Sequence, residues 1–526
     1  MGFTPGETAV LSRYVTNVDR PVFALRNLPE VVKGALFSRY SRTEKSLRRV
    51  LLDEFINTPE LGFEALVGAG PDPAADLVAV RRAEDFYERV LVGYGDDSVA
   101  ELAGAHLALE EVSMLAAKAL EDSRIGISPL EKSTRYVRFD RPGPDGAFLY
   151  HRGPEMDHPA YRPAMDGLFT AYSEMVGPLT ERVRAEHPPE PGETERAWKT
   201  ATRAKALDLL RGLLPAGALT NAGLFGNGRA FEHLITKLAA SELPECRRLG
   251  VEAHRELSLV IPAFLRRALD DRHGRPAAER LERTREALAG LAPLGRAGPE
   301  PAAVRLLEHD PEAERKVLAA ALFGHSNLPL DRLPAGADAE RVLEAAAGGR
   351  SNRRQKAPRA FEHAVYLFEV VADFGAYRDL HRHRMASQER QVLGTELGYE
   401  VPAELARMGL GDRYREAAES AATAHRLIAT GLGPVLGQYA VPMCHRLRWF
   451  LRLNLREVFH LCELRTTPQG HQDYRRVAQE MFRRVEEVHP RLARYASFVD
   501  MGPGDELERR RSERRLDERL DRQGVV

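Results

Sequence analysis

Asn454-Leu455-Arg456, with Pro442 ahead of it and His460 after it, restates Asn227-Gly228-Arg229 with its Pro215 and His233. Each pair lies 227 positions apart. Earlier in each half, Gly34-Ala35-Leu36-Phe37 is echoed by Ala320-Ala321-Leu322-Phe323. Between these landmarks the first half holds Ser128-Pro129-Leu130-Glu131-Lys132-Ser133-Thr134-Arg135-Tyr136, and the second Arg382-His383-Arg384-Met385-Ala386-Ser387. Ser128 and Ser387 are 259 apart, so the first copy carries a surplus between motifs. Pro188-Pro189-Glu190-Pro191-Gly192 falls in that surplus and reads as a surface loop. A duplicated unit whose copies keep different groups points to one binding site assembled from both.

At 526 residues the chain exceeds one ordinary core. We expect a first copy over residues 1–270, a connector over 271–300, a second copy over 301–503 and a charged tail over 504–526. The connector carries an exposed helix over 277–291, and the tail reads as a frayed helix or disordered chain. A net charge of −1 and a pI near 7.0 argue against bulk attraction to nucleic acid or anionic lipid. Three cysteines without metal-ligand spacing fit a reducing cytoplasm. The N-terminus has no secretory pattern, and no apolar run reaches membrane-spanning length.

Helix dominates the expected elements. Residues 99–121 are rich in Ala, Leu and Glu. Residues 361–385 set Phe361, Val365, Phe368 and Ala372 at helical spacing. Helices over 452–464 and 472–485 are separated by Thr467-Pro468-Gln469-Gly470. Short strands are expected at 136–139 and 148–150.

Read by themselves, the chemistry-bearing segments leave alternatives open. Arg382 and Arg384 at a helix end line two neighbouring anions, or one binds while the other pairs with a carboxylate, or both form a basic last turn that complements the helix dipole. His381 and His383 face apart on such a helix with no carboxylate nearby, so no metal site is expected. If extended, Glu131, Ser133 and Arg135 share one face, which suits a phosphate or an ordinary surface ion pair. Asn227 and Asn454 suit helix caps or ligand contacts. Arg211 has Gln438 as its repeat counterpart, and Arg465 has Leu238, so each half keeps one of two arginines.

Taken together, these motifs resemble the flavin-dependent thymidylate synthases, as a tandem fusion of two diverged family domains. Arg382, His383, Arg384 and Ser387 match the front of the family hallmark; Ser128, Glu131, Ser133, Arg135 and Tyr136 match its rear. In the second half Arg390, Val392 and Gly394 replace the rear residues. Asp96-Asp97-Ser98-Val99-Ala100-Glu101 resembles the upstream family stretch, with Asp in place of its His. Asn454, Arg456 and Arg465 resemble its closing block, with His460 in place of an Asn. Asp379 stands where the family has a Gln.

The resemblance implies an α+β fold in which two family-like domains form a helix-rich pseudo-dimer with one composite site. It implies reductive methylation of dUMP to dTMP, with FAD as cofactor and NADPH and methylenetetrahydrofolate as co-substrates. Glu131, Ser133, Arg135, Arg211 and Arg382 would bind the nucleotide, with catalytic Arg465 at the pyrimidine. Arg382, His383, Arg384, Asn454, Arg456 and His460 would contact the flavin. A homodimer would match the family's four-domain assembly. The alternative is a flavin- or nucleotide-binding paralogue that is silent or uses another pyrimidine nucleotide or carbon donor.

Overall fold

The repeated landmarks fold into repeated sheets. In a computed structural model of the chain, β1 (Gly104–Ser113), β2 (Ile127–Glu131) and β3 (Leu219–Asn227) form one sheet, ordered β1-β3-β2. β4 (Ala303–His309), β5 (Val365–Asp373), β6 (Ala386–Arg390) and β7 (Arg446–Asn454) form a second, ordered β4-β5-β7-β6. Apart from the added edge strand β4, the order is the same. So is one register: Ile127 pairs Gly226 and Glu131 pairs Ala222, while Ala386 pairs Leu453 and Arg390 pairs Trp449. The 227 and 259 offsets are therefore offsets between equivalent strands. The structure describes all residues except 1, 42, 59–62, 64–98, 124, 294, 296–297, 334–337, 505–506, 508 and 523–526. Asp96, Asp97 and Ser98 of the upstream motif lie outside the described residues.

Each central strand runs into a helix through its asparagine. Asn227 Oδ1 accepts the Ala230 N–H at 2.8 Å to start the helix Gly228–Ala239. Asn454 Oδ1 accepts the Glu457 N–H at 2.9 Å to start Leu455–Arg465. Capping is thus the observed work of both asparagines.

The long helices expected over 99–121 and 361–385 are instead strand followed by short helix. Val365–Asp373 contains Val, Tyr, Phe and Val, and Tyr366, Phe368 and Val370 are all fully buried, a period of two. The helical spacing of Phe361, Val365, Phe368 and Ala372 was a coincidence of composition. Over Gly104–Ser113 the helix-forming Ala, Leu and Glu are overridden by pairing in the sheet. Helices begin only at Met114 and Phe374, capped by Ser113 and Asp373. The second ends at Leu380, so Arg382-His383-Arg384 occupies a turn rather than a helix end. The expected strand at 136–139 is also a turn, closed by Tyr136 and Val137 N–H groups on the Ser133 carbonyl.

Compact units cut across the sequence division at residue 270. One comprises Met1–Val112, Ala119–Glu131 and Asn221–Leu294; the other comprises Ser113–Lys118, Lys132–Thr220 and Gly295–Val526. In the first, the connector helix Gly274–Leu291 is mostly exposed, as expected. The second holds material from both copies, including the helices Tyr161–Glu186, Glu195–Leu210, Gly411–Leu432 and Gln472–Val488. It also holds a helix at Arg510–Arg522, the helical one of the two forms expected for the tail, but packed rather than frayed. That helix packs on Glu195–Leu210, with Glu513 and Asp517 buried against Arg196. Oppositely charged side chains on the partner helix, invisible to a composition argument, hold it there. No described helix is long and apolar enough to cross a membrane.

Candidate active site

Within the second unit, equivalent residues of the two copies meet each other. Pro215 bridges Pro442, and the flanking hydrogen bonds come in matched pairs. Ala216 N–H reaches the Val441 carbonyl at 2.9 Å and Met443 N–H the Leu214 carbonyl at 3.0 Å. Gly217 reaches Tyr439, and Cys444 reaches Gly212, both at 2.8 Å. Each bond maps onto its mate by the 227 offset, the pattern of an isologous contact.

This ladder fixes two equivalent 3-10 turns, Arg211–Leu213 and Gln438–Ala440. Their first residues do different things. Gln438 Oε1 accepts from Leu393 N–H at 3.0 Å and Arg390 at 3.2 Å, closing its surroundings within the second copy. Arg211 crosses to the second copy and donates to Asp379 at 3.2 Å.

A cluster of guanidiniums surrounds that contact. Arg135 and Arg211 are 7% and 4% exposed, so each needs a counter-charge. Arg135 grips Asp208 with two nitrogens and also reaches the Gln469 carbonyl at 3.3 Å. Burial works against the Asp379 charge, but Arg211, Arg465, Arg382 and Arg135 hold its carboxyl below the usual range. Burial likewise works against the Arg211 charge, yet Asp379, Asp208 and Asp373 keep the guanidinium firmly protonated. Arg211 Nη2 is buried without a hydrogen-bond partner. Arg135, Arg211, Arg382 and Arg465 thus all act on Asp379, while Asp208 is taken up by Arg135.

Arg465 is held from behind. Its Nε–H donates to His383 Nε2 at 3.2 Å, and His383 Nδ1 bonds Glu457 Oε1 at 2.8 Å. With Nε2 as acceptor, the hydrogen-bond pattern assigns the imidazole proton to Nδ1. The Arg465 guanidinium lies 5.7 Å from the Tyr474 ring centroid. His383 is thus oriented toward Arg465.

The other expected flavin contacts have mixed surroundings. Arg382 is half-buried and Arg384 exposed. Arg456 donates to the Ala357 carbonyl at 2.7 Å and pairs with Glu362 at 3.1 Å. His460 Nδ1 bonds the Lys356 ammonium at 2.7 Å, and burial pushes its pKa down to about 4. Ligand atoms of His383, Glu457 and His460 lie within 4.8 Å of one another. Lys356 already brings a positive charge there, and both His383 nitrogens are engaged, which disfavours a second cation. Burial pushes the Cys444 thiol up to about 12 and raises Cys462 as well, so neither is a ready nucleophile.

A cavity of about 1050 Å³ abuts this cluster. Arg211, Asp208, Gly375, Asp373, His471 and Asp473 help line it, whereas Arg135, Asp379, Arg382 and Arg465 do not line it. Ser133 is half-buried beside Arg135, its Oγ accepting the Arg135 N–H at 3.3 Å. Glu131, buried at the end of β2, falls in the other compact unit. Sequence reasoning missed Asp208, Glu457 and Tyr474. Asp208 stands three residues before Arg211 at a helix end, a spacing that signals proximity. Asn454-Leu455-Arg456-Glu457 has capping-box spacing, yet the Glu457 side chain turns to His383.

The thymidylate synthase complementing protein family matches residues 64–263 and 305–491. A UPF0159 protein of Chlamydia muridarum (strain MoPn / Nigg) is 43% identical over 522 residues, spanning 96% of both chains. A UPF0159 protein of Thermoplasma acidophilum is 34% identical over 504 residues, covering 89% of this chain and 95% of its own. The flavin-dependent thymidylate synthase of Geobacter sulfurreducens is 28% identical over 210 residues, 38% of this chain and 87% of its own. The chain therefore belongs to the thymidylate synthase complementing protein family, whose pattern it carries twice in tandem.

Proposed function

We propose that the chain methylates dUMP reductively to dTMP at one composite site, with its two copies arranged as a pseudo-dimer about the Pro215–Pro442 ladder. The observation that carries this reading is Arg211 of the first copy meeting Asp379 of the second within a cluster of guanidiniums from both. Arg135, Arg211 and Ser133 hold the nucleotide phosphate, and Arg382 adds charge beside it. Asp379 keeps Arg211 in place until the phosphate dianion displaces it. Arg465 stabilises the negative charge left when the pyrimidine N3 loses its proton. His383 positions Arg465 through the bond from Glu457.

Arg382, Arg384 and Lys356 give a cationic donor set that fits the pyrophosphate of FAD near the capped start of Leu455–Arg465. Bound there, FAD supplies hydride chemistry between NADPH and the carbon unit of methylenetetrahydrofolate. His460, neutral near pH 7, contacts the flavin as an uncharged group, while Asn454 and Arg456 hold the helix start. Two chains would supply four family domains, so we propose a homodimer.

A second reading is favoured by Asp379 itself. An acid inside the anion site fits a relative that binds flavin or nucleotide without turnover, or that takes another pyrimidine nucleotide or carbon donor. Tritium release from C5-labelled deoxyuridylate, dependent on NADPH and methylenetetrahydrofolate, tests the first reading. Bound flavin without release favours the second.

A further inference from the structure

Beyond the family-matched residues, the C-terminal segment is tied to the first copy's surplus loop and the helix that follows it. Arg510 pairs with Glu190 at 2.9 Å and Glu193 at 3.1 Å and donates to the Pro188 carbonyl at 2.7 Å. Arg514 pairs with Glu190 at 2.9 Å. Arg196 pairs with Glu513 at 3.2 Å and also with Asp517, which accepts from Thr194. These contacts clamp the segment immediately after Arg509. The Arg509 guanidinium lies over the Tyr136 ring, 3.8 Å from its centroid. Its Nε is buried without a hydrogen-bond partner among the described residues.

Tyr136 adjoins Arg135, whose two-nitrogen grip on Asp208 already occupies that acid. Burial and then the like charge of Arg135 push Arg509 down to about 9, against the opposing pull of Glu513. Arg509 is thus held against the residue next to Arg135, and among the described residues no carboxylate hydrogen-bonds its guanidinium; an added guanidinium there suits a doubly charged oxyanion.

We propose that the C-terminal segment delivers Arg509 as a further guanidinium for the phosphate monoester of the nucleotide held by Arg135. This rests on the nucleotide-binding reading above. The surplus loop and the tail are then one device, the loop being the anchor that sets Arg509 over Tyr136.

The test compares flavin-loaded wild type with Arg509→Met and Arg509→Lys by calorimetry, using dUMP, deoxyuridine and inorganic phosphate, with melting curves to establish folding. Arg509→Met should weaken dUMP at least about tenfold while leaving deoxyuridine within about twofold, and Arg509→Lys should fall between. Unchanged dUMP affinity, or equal loss for both ligands at unchanged Tm, overturns the proposal and leaves Arg509 a packing residue. If wild type takes no dUMP, the nucleotide reading fails by itself. Phosphate affinity that drops in Arg509→Met then upholds the anion site, and phosphate affinity that is equal or absent overturns it. Should Arg509→Met not fold, the same criteria apply to Arg509→Lys, whose ammonium lacks the planar fork.

Discussion

Arg211 and Asp379 are 168 positions apart in sequence and 3.2 Å apart in space. Each belongs to a different repeat, and neither has an equivalent pair in the other combination, because Gln438 turns to Leu393 and Arg390 instead. The contact joins the copies at the point where the sequence keeps an arginine in one and loses it in the other.

Replacing Asp379 should separate affinity from stability. Asp379→Gln removes the internal competitor for Arg211, so dUMP binding should tighten by about tenfold. The same change removes the acid hydrogen-bonded to a buried guanidinium and leaves it only the longer-range pull of Asp208 and Asp373, and breaking such a pair costs up to about 3–5 kcal/mol. Calorimetry and urea unfolding on one preparation read both effects; weaker dUMP binding would remove Asp379 from the anion site.

The composite arrangement predicts asymmetry between repeat partners. Arg211→Ala and Arg465→Ala should each abolish turnover. Gln438→Ala should keep turnover while losing about 1–3 kcal/mol, since the Leu393 N–H is left buried without its acceptor. Leu238→Ala, 2% exposed, should cost about 2–5 kcal/mol without touching the chemistry. Equilibrium dialysis should count one nucleotide per chain, and a count of two would refute the arrangement.

Glu457 should act through His383. Glu457→Gln keeps the side-chain shape but weakens the bond that fixes the imidazole proton on Nδ1. The expected result is a lower kcat with dUMP affinity within about twofold, and a shifted pH profile for kcat. An unchanged kcat would make the Glu457–His383 pair structural only.

Acid should destabilise the fold before ordinary carboxylates titrate. Burial lowers His460 and His471 to about 4 and His445 to about 3, from an ordinary value near 6.5. The unfolded chain therefore binds more protons at these groups below about pH 6.5. Their contribution is fully present above that pH and is lost as pH falls toward 4. Asp373, raised to about 7 by burial and then Asp473, runs the other way, but it is one group against three. Urea midpoints should therefore fall between pH 7 and pH 5, and the fall should shrink in His471→Gln.

Sequence periodicity carried the repeat further than it carried the elements. The 227 offset maps β3 onto β7 residue for residue and the first residue of one capped helix onto that of the other, because capping and strand ends are local chemistry. Residues 361–385 were misread because their apolar residues satisfy two periods over a short span, and only pairing with β4 and β7 decides between them. In the site, the grouping of Ser133, Arg135 and Arg211 with Arg382 and Arg465 was legible in the family pattern. Asp208 and Glu457 were not, since a buried cation's counter-charge can come from anywhere in the fold. The extension assumed for Glu131, Ser133 and Arg135 is met only up to Glu131, where β2 stops, and Thr134–Tyr136 lies in a turn.

Equivalent prolines facing one another, as Pro215 faces Pro442, would force any substitution in a two-chain protein to appear on both sides at once. Joining the partners in one polypeptide lifts that constraint. Arg211 can stand opposite Gln438, and one face can carry groups that its mirror lacks. A tandem chain thereby admits change on a single side at a time.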